Sequence, residues 1–471
     1  MKRWLFALAA ACGEPPLPPP VAPHPAPAAA APAPGPYHDP DHKRGALPTQ
    51  ADRRRELAVL REHLDAMYAH RLAKEQRYAI DEDAVFAEAD RRLVAAHSWA
   101  GYDDAIYDAL ATFHDSHLSY HPPQTAAPSR GYTPYRLGVD TVLADGHLLI
   151  SAVDPGSDAA AAGVAPGDEV IAIDGRPIDK VLDGVVRGRV WSRAESAQSS
   201  FARTWSHVLV PVGESSRPRS IRVRLRAGGE RPVAITPREA PKLVHDVITS
   251  ARDGDVAIVT IRSLEGNRTR ARAIDDALAA ARGAPGLVID LRGDRGGVDV
   301  VGYRVVAALA EGSALIGTYR VKVSRELAAL RPRWKDLAAG PDGFSPAQQM
   351  TVAAQPAGKG YRGALAVVVD AGCVSTCELV AAALRADLHA TVVGEVTGGS
   401  TGAPVEITLP VSKADVAIPT WDMIAADGKP VESDGVVPDV PAVATADALA
   451  AGRDLPLEAA LAAVRARLRP Q

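Results

Sequence analysis

No apolar run in this sequence of 471 residues reaches the roughly 20 residues that a membrane-spanning helix needs, so a transmembrane helix is not expected. A charge surplus is also missing: the formal net charge is −4, which gives no reason to expect nucleic acid as a partner. Internal repeats are absent as well. The hydrophobic content of 47% and the charged content of 23% are ordinary for a globular protein, and the length predicts two or three domains.

The N-terminus has the order of residues of an export signal. Lys2 and Arg3 precede a short apolar stretch, Trp4–Ala11, and small residues lead into Cys12. A cysteine directly after three alanines resembles the bacterial lipoprotein signal, which implies that Cys12 is acylated and anchors the protein to a membrane. Gly13 after this cysteine implies the outer membrane. The alternative is a short apolar start with an ordinary cysteine.

Residues 15–36 are almost entirely proline and alanine, a composition that cannot bury a core and favours an extended chain. We expect a signal peptide over residues 1–11 and a tether over residues 12–50. The protein would then be exported and held at the periplasmic face of the bacterial outer membrane, or secreted.

The remaining chain has three patterns, which predict a multi-domain α/β protein. Apolar residues at helical spacing, with glycine and proline nearly absent, predict a helical N-terminal domain. Short apolar segments between Gly, Pro and Asp turns predict a small β domain. Apolar strands that alternate with amphipathic helices predict a core with a largely parallel sheet, and residues 313–360 within it have no clear pattern and are expected to fold over the site. The predicted parts are a helical domain at 51–130, a β domain at 131–241, an α/β core at 242–445 and a C-terminal helix at 446–471.

The order of segments in the β region resembles the circularly arranged PDZ domain of bacterial proteases, down to the sequence PGDEVIAIDG. PDZ domains bind an extended peptide by adding it to a sheet edge, and backbone amides hold its terminal carboxylate. The resemblance implies a carboxylate-binding loop formed by Tyr135, Arg136, Leu137 and Gly138. The alternative is a β domain that serves only as a scaffold.

Two predicted strand ends carry candidate chemistry. The sequence GLVIDLRGDRGG ends in Gly296 and Gly297, whose backbone amides have no side chain in the way and suit a developing oxyanion. The sequence LAVVVDAGCVSTCEL predicts a buried strand, a tight turn and a helix that opens at Ser375. There the amide of Thr376 and the helix dipole would favour an anionic intermediate. Ser375 and Glu378 also fit a capping box, in which the serine would only satisfy a helix amide.

Four motifs, DLRGDRGG, CVSTCE, VVGEVTGGSTG and ESDGVVPDV, occur in the order and spacing of the C-terminal processing peptidase family, which includes tricorn-like peptidases. The resemblance covers residues 50–445 and implies a catalytic core like those of ClpP and crotonase. It implies that Ser375 is the nucleophile, and that Gly296 or Gly297 forms the oxyanion hole with Thr376. The implied reaction is hydrolysis of polypeptides, recognised by their C-termini, without a metal or organic cofactor.

The general base is where this sequence departs from the best-known branch of that family. Ser400 occupies the position of the lysine base, and a serine hydroxyl cannot accept a proton near neutral pH, so we expect no catalytic role for it. The tricorn-like branch instead implies a histidine base assisted by the adjacent serine and a distant glutamate. In this sequence these are His117, Ser116 and Glu432, with Asp115 in place of the usual threonine.

Several alternatives stay open at this point. His114 and His117 have the spacing of a metal pair on a helix, but no third ligand is evident nearby. Cys373 and Cys377 could form a disulfide in an exported protein, although we expect small buried packing residues. Glu378 and Asp290 are expected to be structural. A catalytically silent, peptide- or ligand-binding relative and a small-ester hydrolase are the rival functions.

Overall fold

The computed structural model describes residues 44–123, 132–187, 191–211, 216–240 and 247–469. The predicted signal peptide, Cys12 and the tether up to residue 43 lie outside the described residues. No helix in the described ranges combines the length and apolar character that crossing a bilayer would demand.

The N-terminal part is helical because polar caps alternate with apolar runs at helical spacing. Thr49, Asp81 and Ser98 each accept a hydrogen bond from an amide in the first turn of a helix. The inward faces of these helices join the same apolar cluster as the α/β core. The elements are α1 (Gln50–Met67), α2 (Arg71–Tyr78), α3 (Glu82–Ala95), α4 (Trp99–Ala111) and β1 (Ser119–His121).

The middle part is a β domain with its own apolar cluster. Its larger sheet has the strand order β3-β4-β5-β8-β9, with β6 paired to β5, and the smaller sheet has the order β10-β2-β7. Strand β3 therefore lies at a sheet edge. The elements are β2 (Tyr132–Arg136), β3 (Val139–Ala144), β4 (His147–Val153), α5 (Asp158–Ala161), β5 (Glu169–Ile173), β6 (Arg176–Pro177), α6 (Ile178–Arg187), α7 (Ala194–Thr204), β7 (His207–Pro211), β8 (Arg219–Arg224), β9 (Glu230–Ile235) and β10 (Arg238–Glu239).

The C-terminal part is built on a sheet with the strand order β11-β12-β13-β16-β17-β21. All pairs are parallel except β11 with β12. The elements of this half up to α11 are β11 (Ile248–Asp253), β12 (Val256–Ile261), α8 (Arg268–Ala281), β13 (Gly286–Asp290), α9 (Asp299–Leu309), β14 (Ser313–Val321), α10 (Arg325–Leu330), a 3₁₀ turn (Pro332–Trp334), β15 (Gln348–Ala353), β16 (Ala364–Val369) and α11 (Thr376–Leu388). The remaining elements are β17 (Thr391–Gly394), β18 (Val405–Thr408), β19 (Asp415–Ile418), β20 (Trp421–Ala425), β21 (Val440–Pro441), α12 (Ala446–Ala450) and α13 (Leu455–Leu468).

Both faces of the parallel sheet are covered, as its continuous apolar strands require. Val288 and Val368 share a cluster with Val464 of α13 on one face, and Ile289 and Val367 belong to the cluster on the other face. The predicted α/β multi-domain fold with N-terminal helices is confirmed. The predicted domain boundaries stay predictions.

Residues 313–360 are more regular than their sequence pattern predicts. Strand β14 pairs with β15 and with β20 in a separate antiparallel sheet. A guanidinium nitrogen of Arg331, between the hairpin strands, donates to the carbonyl of Pro404 at 2.9 Å. The segment therefore packs beside the loop that follows β17. The sequence of this segment does not predict its strands because these strands are only partly buried.

Candidate active site

Three loops meet at one edge of the parallel sheet. The loop after β13 contains Gly296 and Gly297, the turn after β16 contains Ser375, and the loop after β17 contains Ser400. Since β13, β16 and β17 are adjacent and parallel, their carboxyl ends lie side by side. The order of strands in the sheet thus brings together residues that are about a hundred positions apart in the chain.

Ser375 is held by its backbone in a conformation that favours an exposed hydroxyl. Its φ of 58° and ψ of −126° lie where residues other than glycine are rare, at a cost of about 1–3 kcal/mol. Its amide donates to the carbonyl of Ser400 and to a carboxylate oxygen of Glu378, both at 2.9 Å. The bond from the amide of Ser375 to Glu378 is the glutamate half of the predicted capping box.

Glu378 fixes the nucleophile turn to the loop after β17. Its buried carboxylate also accepts hydrogen bonds from the hydroxyl of Thr397 and the amides of Gly399 and Ser400. Burial raises the pKa of Glu378 to about 8. Glu378 is therefore structural in this arrangement. Asp290 is also structural, because its carboxylate accepts hydrogen bonds from Arg262 and Arg292. These two guanidinium groups hold the pKa of Asp290 well below its usual range, although the side chain is buried.

His117 lies in the turn after α4 and faces Ser375. Its Nε2 is 3.2 Å from the Oγ of Ser375, and its Nδ1 is 2.6 Å from the Oγ of Ser400. The amide of His117 donates to a carboxylate oxygen of Asp115 at 3.0 Å, which fixes the turn. Burial lowers the pKa of His117, although the charges of Asp115 and Glu432 partly oppose this effect. The imidazole is therefore neutral near neutral pH, as a general base must be.

Ser400 lies next to His117, a contact that the sequence does not predict. Its hydroxyl lies between the Nδ1 of His117 and the hydroxyl of Ser116, in short contact with both. The sequence predicts no catalytic role for Ser400, and this stays a prediction; the structure shows that its hydroxyl contacts the candidate base. A signal was present in the sequence: Gly398, Gly399 and Ser400 follow a strand that is parallel to the nucleophile strand.

Glu432 does not contact the imidazole of His117, in contrast to the predicted direct or Ser116-mediated support. One carboxylate oxygen accepts from the amide of Thr401 at 2.8 Å, and the other accepts from Lys74 at 2.5 Å and from the hydroxyl of Ser192 at 3.0 Å. The glutamate therefore orders the backbone next to Ser400 and contributes its negative charge. The reason is geometric: Ser400 occupies the space beside Nδ1.

Lys74 is a buried cation that the sequence analysis missed. Only 1% of it is exposed, and its ammonium group donates to Glu432, to the hydroxyl of Ser433 at 2.6 Å and to the carbonyl of His114 at 2.6 Å. Burial disfavours its charge, but Glu432 and Asp115 raise the pKa of Lys74 overall. No local pattern marks this residue, since its partner Glu432 is 358 positions away.

Asp115 completes a buried polar network behind His117. Its other carboxylate oxygen accepts from the hydroxyl of Tyr68 at 3.0 Å and lies 2.8 Å from the Nδ1 of His70. Although burial opposes ionisation, His70 and Lys74 hold the pKa of Asp115 well below its usual range. The exchange of the usual threonine for Asp115 is thus matched by a buried histidine and lysine.

Metal binding does not fit this network. Donor atoms of His70, Asp115 and Glu432 lie within 4.8 Å of one another, but Lys74 already supplies a cation to the glutamate. The alternative pair His114 and His117 is not brought together either. The ring of His114 packs against Tyr78 at a centroid distance of 4.5 Å, whereas both ring nitrogens of His117 contact serines.

The hydrogen bonds of the loop that contains Gly296 and Gly297 indicate which backbone amides remain available to bind an oxyanion. The amide of Gly296 donates to Asp294 at 2.9 Å, so it is already engaged. Among the described residues, no partner is found for the amides of Gly297 and Thr376. A β-carbon on Gly296 would lie 2.6 Å from the carbonyl oxygen of Val374 and 3.1 Å from the amide of Thr376, so only glycine fits there. The backbone amides of Gly297 and Thr376 are therefore the candidate pair of oxyanion donors.

Cys373 and Cys377 form a disulfide, and the expectation of unbonded packing residues is wrong. Their Cα atoms are 5.5 Å apart because the turn into α11 folds one residue over the other. Both side chains are fully buried. The bond encloses Ser375 in a short covalent loop.

The four residues predicted to bind a peptide terminus lie in the β domain. Tyr135 and Arg136 end β2, and Leu137 and Gly138 follow in a buried turn. The amide of Leu137 donates to the carbonyl of Ser206 at 2.9 Å. This amide is therefore bonded within the chain.

A serine hydroxyl within hydrogen-bond reach of an imidazole, beside two backbone amides that have no partner among the described residues, is an arrangement that serine-type hydrolases use. Residues 255–442 match the sequence model of peptidase family S41. The chain is 22% identical over 309 residues to the carboxy-terminal processing protease CtpA of Bacillus subtilis (strain 168). That match covers 65% of this chain and 55% of the relative, so it spans about half of the relative's length.

Solved structures show the same fold. The structure of mature CPAF complexed with lactacystin has a TM-score of 0.67 at 14% identity, covering 89% of this chain and 99% of that one. A second structure of mature CPAF has a TM-score of 0.66 at 15% identity, covering 85% of this chain and 94% of that one. At these identities, the two structures show that this chain shares their fold.

Proposed function

We propose that the protein is a serine endopeptidase that hydrolyses polypeptides through an acyl-enzyme on Ser375. The observation that carries the proposal is the contact of 3.2 Å between the Nε2 of His117 and the Oγ of Ser375, with the Nδ1 of the same ring held by Ser400. This arrangement supplies a nucleophile, a base and an orienting group within hydrogen-bond reach of one another.

The geometry supports the following sequence of steps. The Nε2 of His117 takes the hydroxyl proton of Ser375 as the Oγ attacks the substrate carbonyl carbon, and the amides of Gly297 and Thr376 stabilise the resulting oxyanion. The imidazolium returns that proton to the leaving amine, the peptide bond breaks, and an ester to Ser375 remains. His117 then takes one proton from water as the water oxygen attacks the ester, and it passes this proton to the Oγ of Ser375 as the ester bond breaks; the product leaves as a carboxylic acid, which ionises in solution.

Ser400, Ser116 and Glu432 act on this reaction through His117. The hydroxyl of Ser400 holds the ring orientation by accepting a hydrogen bond from the Nδ1–H of His117, so that the lone pair of Nε2 points to Ser375. The charges of Glu432 and Asp115 favour the imidazolium that forms in each step.

A fluorophosphonate probe tests the proposal. We expect the probe to label the wild-type protein on Ser375, located by peptide mass mapping, and the same preparation to cleave an unfolded protein substrate. The Ser375→Ala variant should do neither. Absence of labelling in a folded wild-type protein would support the silent relative, and turnover of nitrophenyl esters without protein cleavage would support the ester hydrolase.

We also propose that Cys12 carries a lipid anchor and that the protein works at the periplasmic face of the outer membrane. The support is the sequence alone: a basic start, a short apolar stretch, three alanines before Cys12 and a Pro/Ala tether after it. The Cys12→Ser variant should lose incorporation of labelled fatty acid and leave the membrane fraction. Equal membrane association of both forms would contradict the anchor.

A further inference from the structure

A segment of the β domain connects the predicted peptide site to the catalytic network. We call residues 191–206 the bridging segment; it contains α7 and runs directly into β7. Its C-terminal end lies at the turn after β2, and its N-terminal end lies at the network around Glu432. The two ends make different contacts, and both bear on how substrate is recognised.

At its C-terminal end, the bridging segment closes the turn that is predicted to hold a terminal carboxylate. Binding of a C-terminus at such a turn needs backbone amides that point into open space. Here the amide of Leu137 donates to the carbonyl of Ser206, and Leu137, Gly138 and Val139 are all buried. Strand β2 before the turn pairs with β7 after the bridging segment. The amide of Leu137 is therefore not available to bind a carboxylate at this turn.

The helix of the bridging segment also fills the space beside the sheet edge. An added peptide strand would lie along the edge strand β3, next to α6. Helix α7 contacts both β3 and α6. The hydroxyl of Thr141 on β3 donates to the carbonyl of Ala202 at 2.5 Å, and the indole nitrogen of Trp205 donates to the same hydroxyl at 2.8 Å. Ala202 is fully buried, so a peptide could bind here only after displacing α7.

At its N-terminal end, the bridging segment contacts residues that position the base. The hydroxyl of Ser192 donates to Glu432 at 3.0 Å and accepts from the amide of Ser116 at 3.3 Å. Glu432 and Ser116 are the two residues that flank the Ser400–His117 contact. Displacement of the segment would remove both of these hydrogen bonds.

The same segment packs tightly on the loops of the catalytic core. A β-carbon on Gly398 would lie 2.7 Å from the hydroxyl of Ser196, and one on Gly399 would lie 3.0 Å from the Cδ of Arg193. Arg203 forms a short ion pair with Asp370 at the end of the nucleophile strand. The bridging segment therefore supports the loop of Ser400 and the turn of Ser375 from the side of the β domain.

We propose that the bridging segment occupies the peptide site of the β domain as an internal ligand and holds the base network assembled, so that the enzyme accepts unfolded polypeptides whether or not they offer a free C-terminus. This inference rests on the proposed function for its substrate class. It assigns Ser192 as a positioning residue that acts through Glu432 and Ser116.

The direct test uses two fluorescent peptides of one sequence, one ending in a free carboxylate and the other in a carboxamide. Binding is measured on the Ser375→Ala protein, and cleavage on the wild type. We expect Kd values and kcat/KM values that agree within about twofold between the two peptides. A preference of tenfold or more for the free carboxylate, in either assay, would overturn the inference.

The two assays separate this inference from the proposed function. If the wild type cleaves neither peptide, the peptidase proposal fails, while the binding assay still decides whether the terminal carboxylate is recognised. If both peptides are cleaved with a carboxylate preference, the peptidase proposal stands and the inference fails.

The positioning role of Ser192 has its own readout. In Ser192→Ala, we expect kcat to fall about tenfold with KM unchanged, because the base network loses two hydrogen bonds while substrate contacts stay intact. Ser192→Thr keeps the hydroxyl and should recover most of the loss. Wild-type kcat in the alanine variant, or a change confined to KM, would contradict the role.

Discussion

The two halves of the active site are held by different means. The nucleophile half, with Ser375, Gly297 and Thr376, is fixed by backbone geometry at the ends of adjacent parallel strands. The base half, centred on His117, is fixed by buried side chains that come from the N-terminal helices, the bridging segment and the loop of Glu432.

This difference has a consequence for stability and for tolerance to change. A site that is held by its backbone loses little folding stability when one side chain is altered, as long as its glycines are kept. A site held by buried charges is sensitive to each partner, because removing one leaves the other without compensation in an environment of low polarity. We therefore expect variants in the base half to affect both turnover and folding.

The largest expected effect is in His117→Ala. Turnover of an unfolded protein substrate should fall by at least ~10³, the scale for loss of a triad member, while the nucleophile half keeps its structure. The exposed residue His97 provides a control, since His97→Ala should leave turnover unchanged. Near-normal activity in His117→Ala would contradict the assignment of His117 as the general base.

Ser400→Ala should have the next largest effect. The Nδ1 of His117 loses its partner, so the ring orientation and tautomer are less well defined, and kcat should fall by about 10² with little change in KM. This expectation replaces the sequence-based one that the change is nearly silent. Ser250→Ala, at an exposed strand position, is the matched control. An unchanged kcat in Ser400→Ala would mean that the ring is held by its packing alone.

Lys74→Met should affect stability more than chemistry. It leaves Glu432 buried without its cation, which costs about 3–5 kcal/mol of unfolding free energy. Chemical denaturation measures this loss. The double variant Lys74→Met/Glu432→Gln removes both charges and should recover much of the stability, whereas Lys180→Met, on the exposed side chain of Lys180, should be neutral. Equal stability of the single and double variants would contradict the coupling.

The smallest expected effect is a shift in the pH dependence of kcat/KM of the wild-type protein. Because burial lowers the pKa of His117, the neutral base persists to lower pH than it would for an exposed histidine. The acid limb of the profile should therefore have its midpoint below the usual value of about 6.5. A midpoint above that value would indicate that the charges of Asp115 and Glu432 outweigh burial.

The contrast between the two halves also explains what could be predicted from the sequence. Ser375, Gly296 and Gly297 lie at strand ends in short motifs, so local sequence and the rule for parallel sheets were enough to bring them together. Lys74 and Ser192 could not be found in this way, because each meets Glu432 across 358 and 240 positions, respectively, with no local signature.

Two features of the site differ from what the sequence indicates, each for a physical reason. A hydroxyl cannot serve as a base, so the sequence predicts no catalytic role for Ser400, but a hydroxyl can still contact and orient a base. A disulfide this close to the oxyanion hole needs tolerant backbone geometry, which is why packing is the expected alternative to a bond between Cys373 and Cys377. Only the turn into α11 decides between the two.

The most direct test of the central claim is the protonation state of the His117 ring, measured by ¹⁵N NMR of histidine-labelled protein with His117→Gln to identify its signals. The account predicts a neutral ring at pH 7, with the proton on Nδ1 beside Ser400 and a free lone pair on Nε2 beside Ser375. A ring that is protonated on Nε2 throughout the pH range of activity would contradict it.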